Sequence, residues 1–552
     1  MLHARRIIRN APGLIRLDVA VLLFVLVVTL SLQWASGAHS SAFGAEPDEA
    51  SHYVTGVMVR DYIARGLPGN PVTFAKDFYL HYPRVAFGLW PPLFHLWSGV
   101  WMLAFGTGRM SVMFMLATLT ATWAFIFYRI ARRVGGRFGA LISVLVLVFL
   151  PATQQSASVV MVDLPLAVMM LAAMGAYAHY LEREKTADAF KFGLCAASAL
   201  LIKYNALALA LLPPLCVVIT GRYHLIRTKT FWLPPAVVLV VAGPWYVVMR
   251  HLVVYAAEPG GNWPPLGHSL AEDAKGIMVV AGPIVFFLAA VGSILVIRCN
   301  HKSRQVIKSK QWPLYAVAVS MVLAVFLFAS IYPVYEFRYL LPAAPALILL
   351  ARPSIEYMHS FLGRRRAAII ASWALIAAAH AASTFVVQAK NNSAYVRVAD
   401  EILGLGLPDS GGVLVSADAK GEGMLTAEFV MRDQRPNHYV VRASKVLATQ
   451  TLMGDKYQLR YQSPEGIMTA LDSIPIAVVV MRQCAREQCS DHENLLTQTA
   501  GTFPERWQLT SSIPNETGPS ILIYRIVGNE TKAVRTLQID MSPTLGTTVE
   551  KR

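Results

Sequence analysis

Residues 46 to 53 read EPDEASHY, which puts Asp48 and Glu49 side by side and His52 one helical turn beyond Asp48. Adjacent carboxylates raise each other's pKa and, near apolar surroundings, need a cation or a hydrogen-bond donor beside them. Such a pair suits a base that takes a proton from a hydroxyl or amine. It also suits simple complementation of a helix N-terminus, since Pro47 and the apolar spacing of PDEASHYVTGVMVRDYIARG predict an amphipathic helix starting there. A second acid, Asp163, has at least eight uncharged residues on either side in ASVVMVDLPLAVMM. Lys203 stands alone in ALLIKYNALALALLPP, and Arg338 and Tyr339 open YEFRYLLPAAPALILL. Ionisable groups in such runs are costly in a bilayer and are functional candidates by default. The structural alternatives are a helix cap for Asp163, a snorkelling lysine for Lys203 and an interfacial belt for Arg338 and Tyr339.

These groups are chemically complementary. Lys203 and Arg338 can hold an anionic lipid headgroup while a carboxylate acts as base toward an incoming acceptor. The catalytic pair is assigned to Asp48 and Glu49. His52, Tyr82, Asp163, Lys203, Arg338 and Tyr339 form the binding set. Asp48, Glu49, His52 and Asp163 also make a candidate divalent-metal site, with no other cofactor expected. No Walker loop, HExxH or paired CxxC is present.

The elements that must position them follow from composition. Of 552 residues, 55% are hydrophobic and only 15% charged, which marks a polytopic membrane protein. The net charge of +16 is not a nucleic-acid signature. Lys and Arg number 32 against 15 Asp and Glu before residue 388, and 17 against 18 from there on, so the excess sits in short loops between apolar runs. About eleven spans are predicted, near 17–36, 110–130, 138–155, 159–180, 191–203, 205–220, 232–250, 277–297, 312–331, 338–351 and 367–387. The first is read as a retained helix rather than a cleaved signal peptide. The Trp-rich stretch 89–106 is read as an amphipathic helix on the outer interface, although a buried core helix has the same pattern. With it outside the membrane, the runs HARRIIRN, RIARRVGGR, EREKTADAFK, GRYHLIRTK, RCNHKSRQVIKSK and FLGRRR all face the cytoplasm.

Two domains are therefore expected: a membrane domain, 1–387, with an external loop at 37–109, and an extracytoplasmic α/β domain, 388–552. In the latter, GGVLVSA, NHYVVRAS, IPIAVVVM and SILIYRIV read as strands, and TAEFVMRD and PEGIMTALDS as helices. Cys484 and Cys489 lack the second ligand pair of a zinc site and are expected to form a small-loop disulfide.

PDEASHY, WPPLFHLW, VDLPLAVMMLAAMGAYA, LIKYNALAL and RYLLPAAPALILL, in this order, resemble the GT-C glycosyltransferases of the protein mannosyltransferase and lipid A aminoarabinose transferase type. The resemblance reaches to about residue 352. It implies transfer of a sugar from a polyprenyl-phosphate carrier to a glycan, lipid or protein acceptor at the outer face of a bacterial inner membrane. It also implies that Asp48 is the base, Asp163 a second active-site acid and Lys203 a residue near the carrier phosphate. Leu89 and Trp90 replace the Glu-Lys usual in aminoarabinose transferases before Pro91 and Pro92, so that subgroup's donor and acceptor are not carried over. The competing classes are a secondary transporter and an envelope scaffold. The first lacks a visible two-half repeat, and the second leaves the charges unexplained.

Overall fold

The computed structural model describes residues 2–257, 264–299, 311–331, 335–361, 366–384, 390, 392–450, 457–516, 518–540 and 548–551. The expected domain boundary at 388, most of RCNHKSRQVIKSK and most of FLGRRR lie outside the described residues. Among the described residues, five helices are long and apolar enough to cross a membrane: Asp18–Ala35, Arg109–Val148, Asp163–Arg183, Trp312–Ile331 and Ala367–Thr384. The pair Leu266–Ala281 and Pro283–Arg298 makes a sixth span if its 112° bend lies within one crossing.

Other apolar runs are broken for visible reasons. Gly136 interrupts the helix Arg109–Val148 with φ 64°, a left-handed backbone that glycine adopts without strain. Gly282 does the same at the 112° bend with φ 77°, and Pro283 follows it. A Cβ on Gly282 would lie 2.5 Å from Nε2 of His380, so the bend is also a close packing point. The run 205–220 divides into a 3-10 turn, Tyr204–Ala210, and a helix, Leu212–Thr220. In place of an unbroken helix at 338–351, the 3-10 turn Phe337–Ala343 leads into the helix Ala344–Phe361.

The loop 37–109 forms three helices, Glu49–Ala64, Pro71–His81 and Leu93–Phe105. Asn70 caps the second by accepting the Val72 N–H at 2.8 Å. The third has 13 residues, about 20 Å of rise, too short for a bilayer core. It packs along Glu49–Ala64, where a Cβ on Gly99 would meet Val59 at 2.8 Å.

The C-terminal region is α/β. Its five-stranded sheet runs in the order Tyr439–Arg442, Gly412–Ser416, Ile476–Arg482, Ile521–Ile526, Trp507–Ile513. The first three are parallel and the last two antiparallel to their neighbours. Helices cover the parallel strands on both faces, so Val413, Val415, Val478 and Val480 are buried. The four strands and two helices read from the sequence are all present, and Trp507–Ile513 is added. Cys484 and Cys489 are joined as a disulfide.

This region rests on the loop 37–109. Arg435 pairs with Asp61 at 2.8 Å, Arg109 with Glu428, and Tyr82 donates to Asp433 at 2.6 Å. The rings of His81 and Tyr439 stack at 3.9 Å.

Candidate active site

The helix Glu49–Ala64 begins where Pro47 and Asp48 turn the chain, and Asp48 occupies its N-cap. The backbone N–H of His52 reaches the Asp48 carbonyl at 3.0 Å, but the Asp48 carboxylate makes no capping bond. Among the described residues that carboxylate is half-buried and has neither a hydrogen bond nor an ion pair. It lies within the fields of Lys203 and Arg84. Glu49 is the opposite case. Fully buried, it accepts the N–H of Ala45 at 2.8 Å, the N–H of Val160 at 3.1 Å and Nζ of Lys390 at 2.9 Å.

Asp163 opens the helix Asp163–Arg183 as its first residue, not one turn in as the hydropathy predicts. The shift follows from Val160, whose N–H is spent on Glu49, and Met161, whose N–H turns back to the Val159 carbonyl. Lys203 sits in the break between the helix Thr186–Leu200 and the turn Tyr204–Ala210. Its ammonium is buried and donates to Oδ1 of Asp163 at 2.7 Å. It also lies 3.9 Å from the Tyr339 ring and 5.6 Å from the Trp90 ring, a partial aromatic enclosure that favours a cation.

Arg338 completes the group from the turn Phe337–Ala343. It pairs with Glu46 at 3.0 Å and lies 3.9 Å from Oδ2 of Asp163 and 4.0 Å from Glu336. Burial raises the Glu46 pKa, and Arg338 opposes that shift. Oδ2 of Asp163 and Nε of Arg338 are buried without a hydrogen bond. Buried polar atoms are rarely left so, and here the two face each other at 3.9 Å as an ion pair without hydrogen-bond geometry.

His52 is fully buried, with Nδ1 3.1 Å from Nε2 of His95. Burial, then the charges of His95, Lys203 and Arg338, hold His52 far below the ordinary histidine range, and burial pushes His95 down to about 3. Both rings are thus neutral near pH 7, so His52 packs against Trp90, 5.1 Å between centroids, and supplies no positive charge.

Asp48, Asp163, Lys203, Arg338 and Tyr339 therefore gather at one place, with His52 behind them. Tyr82 does not join them; it faces the C-terminal region and bonds Asp433. The four residues proposed as metal ligands do not converge on a common point. Among the described residues the single cluster of ligand atoms is Cys484, Cys489 and Glu493, whose sulfurs are bonded to each other. Glu46, His95 and Lys390 were not singled out from the sequence. The first two stand inside EPDEASHY and WPPLFHLW, where an acid and a histidine beside the candidate residues were a usable signal. Lys390 carried no signal, because it lies 341 residues from Glu49 in an unpatterned linker.

The family model described as dolichyl-phosphate-mannose-protein mannosyltransferase matches residues 90–247. That segment includes Trp90, Asp163 and Lys203. Two crystal structures of ArnT from Cupriavidus metallidurans, one bound to undecaprenyl phosphate and one in the apo state, are similar in fold. Each has a TM-score of 0.59 at 14% identity, over 95% of this chain and 100% or 99% of theirs. Archaeal oligosaccharyltransferase AglB from Archaeoglobus fulgidus, in complex with an inhibitory peptide and a dolichol-phosphate, matches at 13% identity with a TM-score of 0.49. That match covers 84% of this chain and 69% of AglB. No curated protein sequence matches the chain.

Proposed function

For a chain with the GT-C glycosyltransferase fold, we propose transfer of a sugar from a polyprenyl-phosphate donor to a glycan, lipid or protein acceptor. The observation that carries this reading is the grouping of a buried cation, Lys203, and a half-buried one, Arg338, around Asp163, with the unbonded carboxylate of Asp48 within the field of Lys203. In this reading the cations meet the carrier phosphate and Asp48 takes the acceptor's proton. The acceptor oxygen or nitrogen bonds to the anomeric carbon as the bond to the phosphate breaks, with inversion. The polyprenyl phosphate leaves with its charge screened, so positioning and electrostatics do most of the catalysis. No step needs a metal: the Glu49 oxygens and Nδ1 of His52 already have partners. The test is sugar transfer by the purified protein in liposomes from a set of polyprenyl-phosphate sugars, with and without chelator. Transport of the donor without transfer would move the protein to the transporter class.

The proposal extends to topology: about eleven spans in a bacterial cytoplasmic membrane, the N-terminus inside and residues 388–552 in the periplasm. The short basic runs support it. A periplasm-dependent reporter fused after Gln388 is expected to be active, and the same reporter within 301–310 silent. Cys484 and Cys489 should resist alkylation in cells until a reductant is added. The opposite pattern in either assay overturns the orientation.

A further inference from the structure

We propose that Lys390 is a positioning residue for the Asp48 turn, acting through Glu49 and tying that turn to the strap that enters the C-terminal region. The inference rests on the reading of Asp48 as the base. It begins from the chemistry of Glu49, a carboxylate with no exposed surface directly beside Asp48. A charge so placed persists only with donors and a counter-ion around it.

The donors come from three parts of the chain. Ala45 belongs to the turn that carries Asp48. Val160 belongs to the segment that leads into Asp163. Lys390 supplies the only cation within ion-pair distance of Glu49 among the described residues, at 2.9 Å. Glu49 is thus the junction between the turn bearing Asp48 and the turn bearing Asp163, and Lys390 supplies the counter-charge at that junction.

Lys390 is itself anchored by its backbone. Its N–H donates to the Ser36 carbonyl at 2.7 Å, and its carbonyl accepts from the Ser41 hydroxyl. Two residues on, the Asn392 carbonyl accepts the Ala42 N–H at 3.2 Å. Residues 390 and 392 therefore run beside the chain that leaves the first helix, and the Lys390 side chain reaches from there to Glu49. On the other flank, Lys420 donates to the Ala45 carbonyl at 2.8 Å. The stretch 45–49 is consequently held by the C-terminal region and its strap as well as by the membrane part. Lys390 touches none of the groups proposed to meet substrate, so its effect on transfer is indirect.

The experiment uses the full-length protein in liposomes and reads two quantities. The first is hydrogen–deuterium exchange of the amides in 43–50 and 158–162, which contain the two backbone donors to Glu49. Lys390→Met is expected to speed exchange in both segments together by about tenfold or more, and Lys390→Arg to leave both near wild type. Unchanged exchange in Lys390→Met overturns the inference whatever reaction the protein performs. The second quantity is kcat for sugar transfer. A misplacement of the base by about 1 Å costs on the order of 10²-fold, so kcat should fall by about that factor in Lys390→Met with KM for the donor within about threefold, and recover in Lys390→Arg.

An active wild type with unaltered kcat in Lys390→Met also overturns the inference. A wild type that transfers no sugar, but whose two segments loosen together, instead removes the proposed function and leaves the strap. Should Lys390→Met fail to fold, Glu49→Gln is compared with Glu49→Gln/Lys390→Met. If Lys390 acts only through the Glu49 charge, the second change adds less than about threefold to either readout. A further loss of about tenfold overturns it.

Discussion

Asp48→Asn should fold, bind the carrier and transfer sugar about 10² to 10⁴ times more slowly than wild type. The amide keeps the shape of the carboxylate and has no hydrogen bond to lose among the described residues, since Asp48 makes none. It also sits beside, not inside, the pair formed by Lys203 and Asp163. What changes is the ability to accept a proton from the acceptor. Were Asp48 a helix-dipole partner alone, the amide would cost about 0.3 to 1 kcal/mol of stability and leave turnover intact. The two outcomes differ by orders of magnitude in rate, so a crude assay with a polyprenyl-phosphate sugar separates them. Near-normal transfer by Asp48→Asn returns EPDEASHY to a structural role. Glu49→Gln is a different experiment, because it removes one acceptor from a saturated junction; its loss in rate should accompany a loss in stability, whereas that of Asp48→Asn should not.

This contrast between neighbours is also where sequence reading ran out. Asp48, Asp163, Lys203 and Arg338 were legible because charge in an apolar run is expensive, and the same expense drives them together in space. Glu49 looked equivalent to Asp48 because the difference between them lies in donors 111 and 341 residues away, which no local pattern reports. Tyr82 was misleading for a related reason. An aromatic hydroxyl in the loop 37–109 fits a substrate contact as well as it fits Asp433, and only the docking of the C-terminal region brings that partner near.

The elements show the same division. Strands such as Ile476–Arg482 are runs of β-branched residues buried on both faces and were visible as such. Trp507–Ile513 has mostly exposed or partly exposed residues at the sheet edge and offered no apolar pattern to read. Helix breaks at Gly136 and Gly282 divide the apolar runs in ways that hydropathy, which counts residues without regard to backbone, does not register. The site uses other breaks: Lys203 immediately precedes the 3-10 turn Tyr204–Ala210 and Arg338 lies within the 3-10 turn Phe337–Ala343, where the chain can present a side chain inward without a continuous helix in the way.

The second large effect is expected at Lys203. Its ammonium has three N–H groups, and among the described residues one goes to Asp163, while the Tyr339 and Trp90 rings take its positive face without using a donor. A carrier phosphate entering between Lys203 and Arg338 would accept from a remaining N–H. Losing such a charge-assisted bond costs about 1.5 to 3 kcal/mol, roughly ten- to a hundredfold in affinity. Lys203→Met keeps most of the side chain's volume and should show this loss in direct binding of polyprenyl phosphate. It should also destabilise the protein, because among the described residues Asp163 then keeps only Arg338, 3.9 Å away, as its cation.

The two losses can be separated. Lys203→Met/Asp163→Asn removes the buried charge together with its partner, so stability should return toward wild type while carrier binding stays weak. A lysine that merely neutralises Asp163 would give the other result, with the double variant recovering both. Carrier binding at wild-type strength in Lys203→Met alone would exclude Lys203 from the phosphate site and leave Arg338 as its cation.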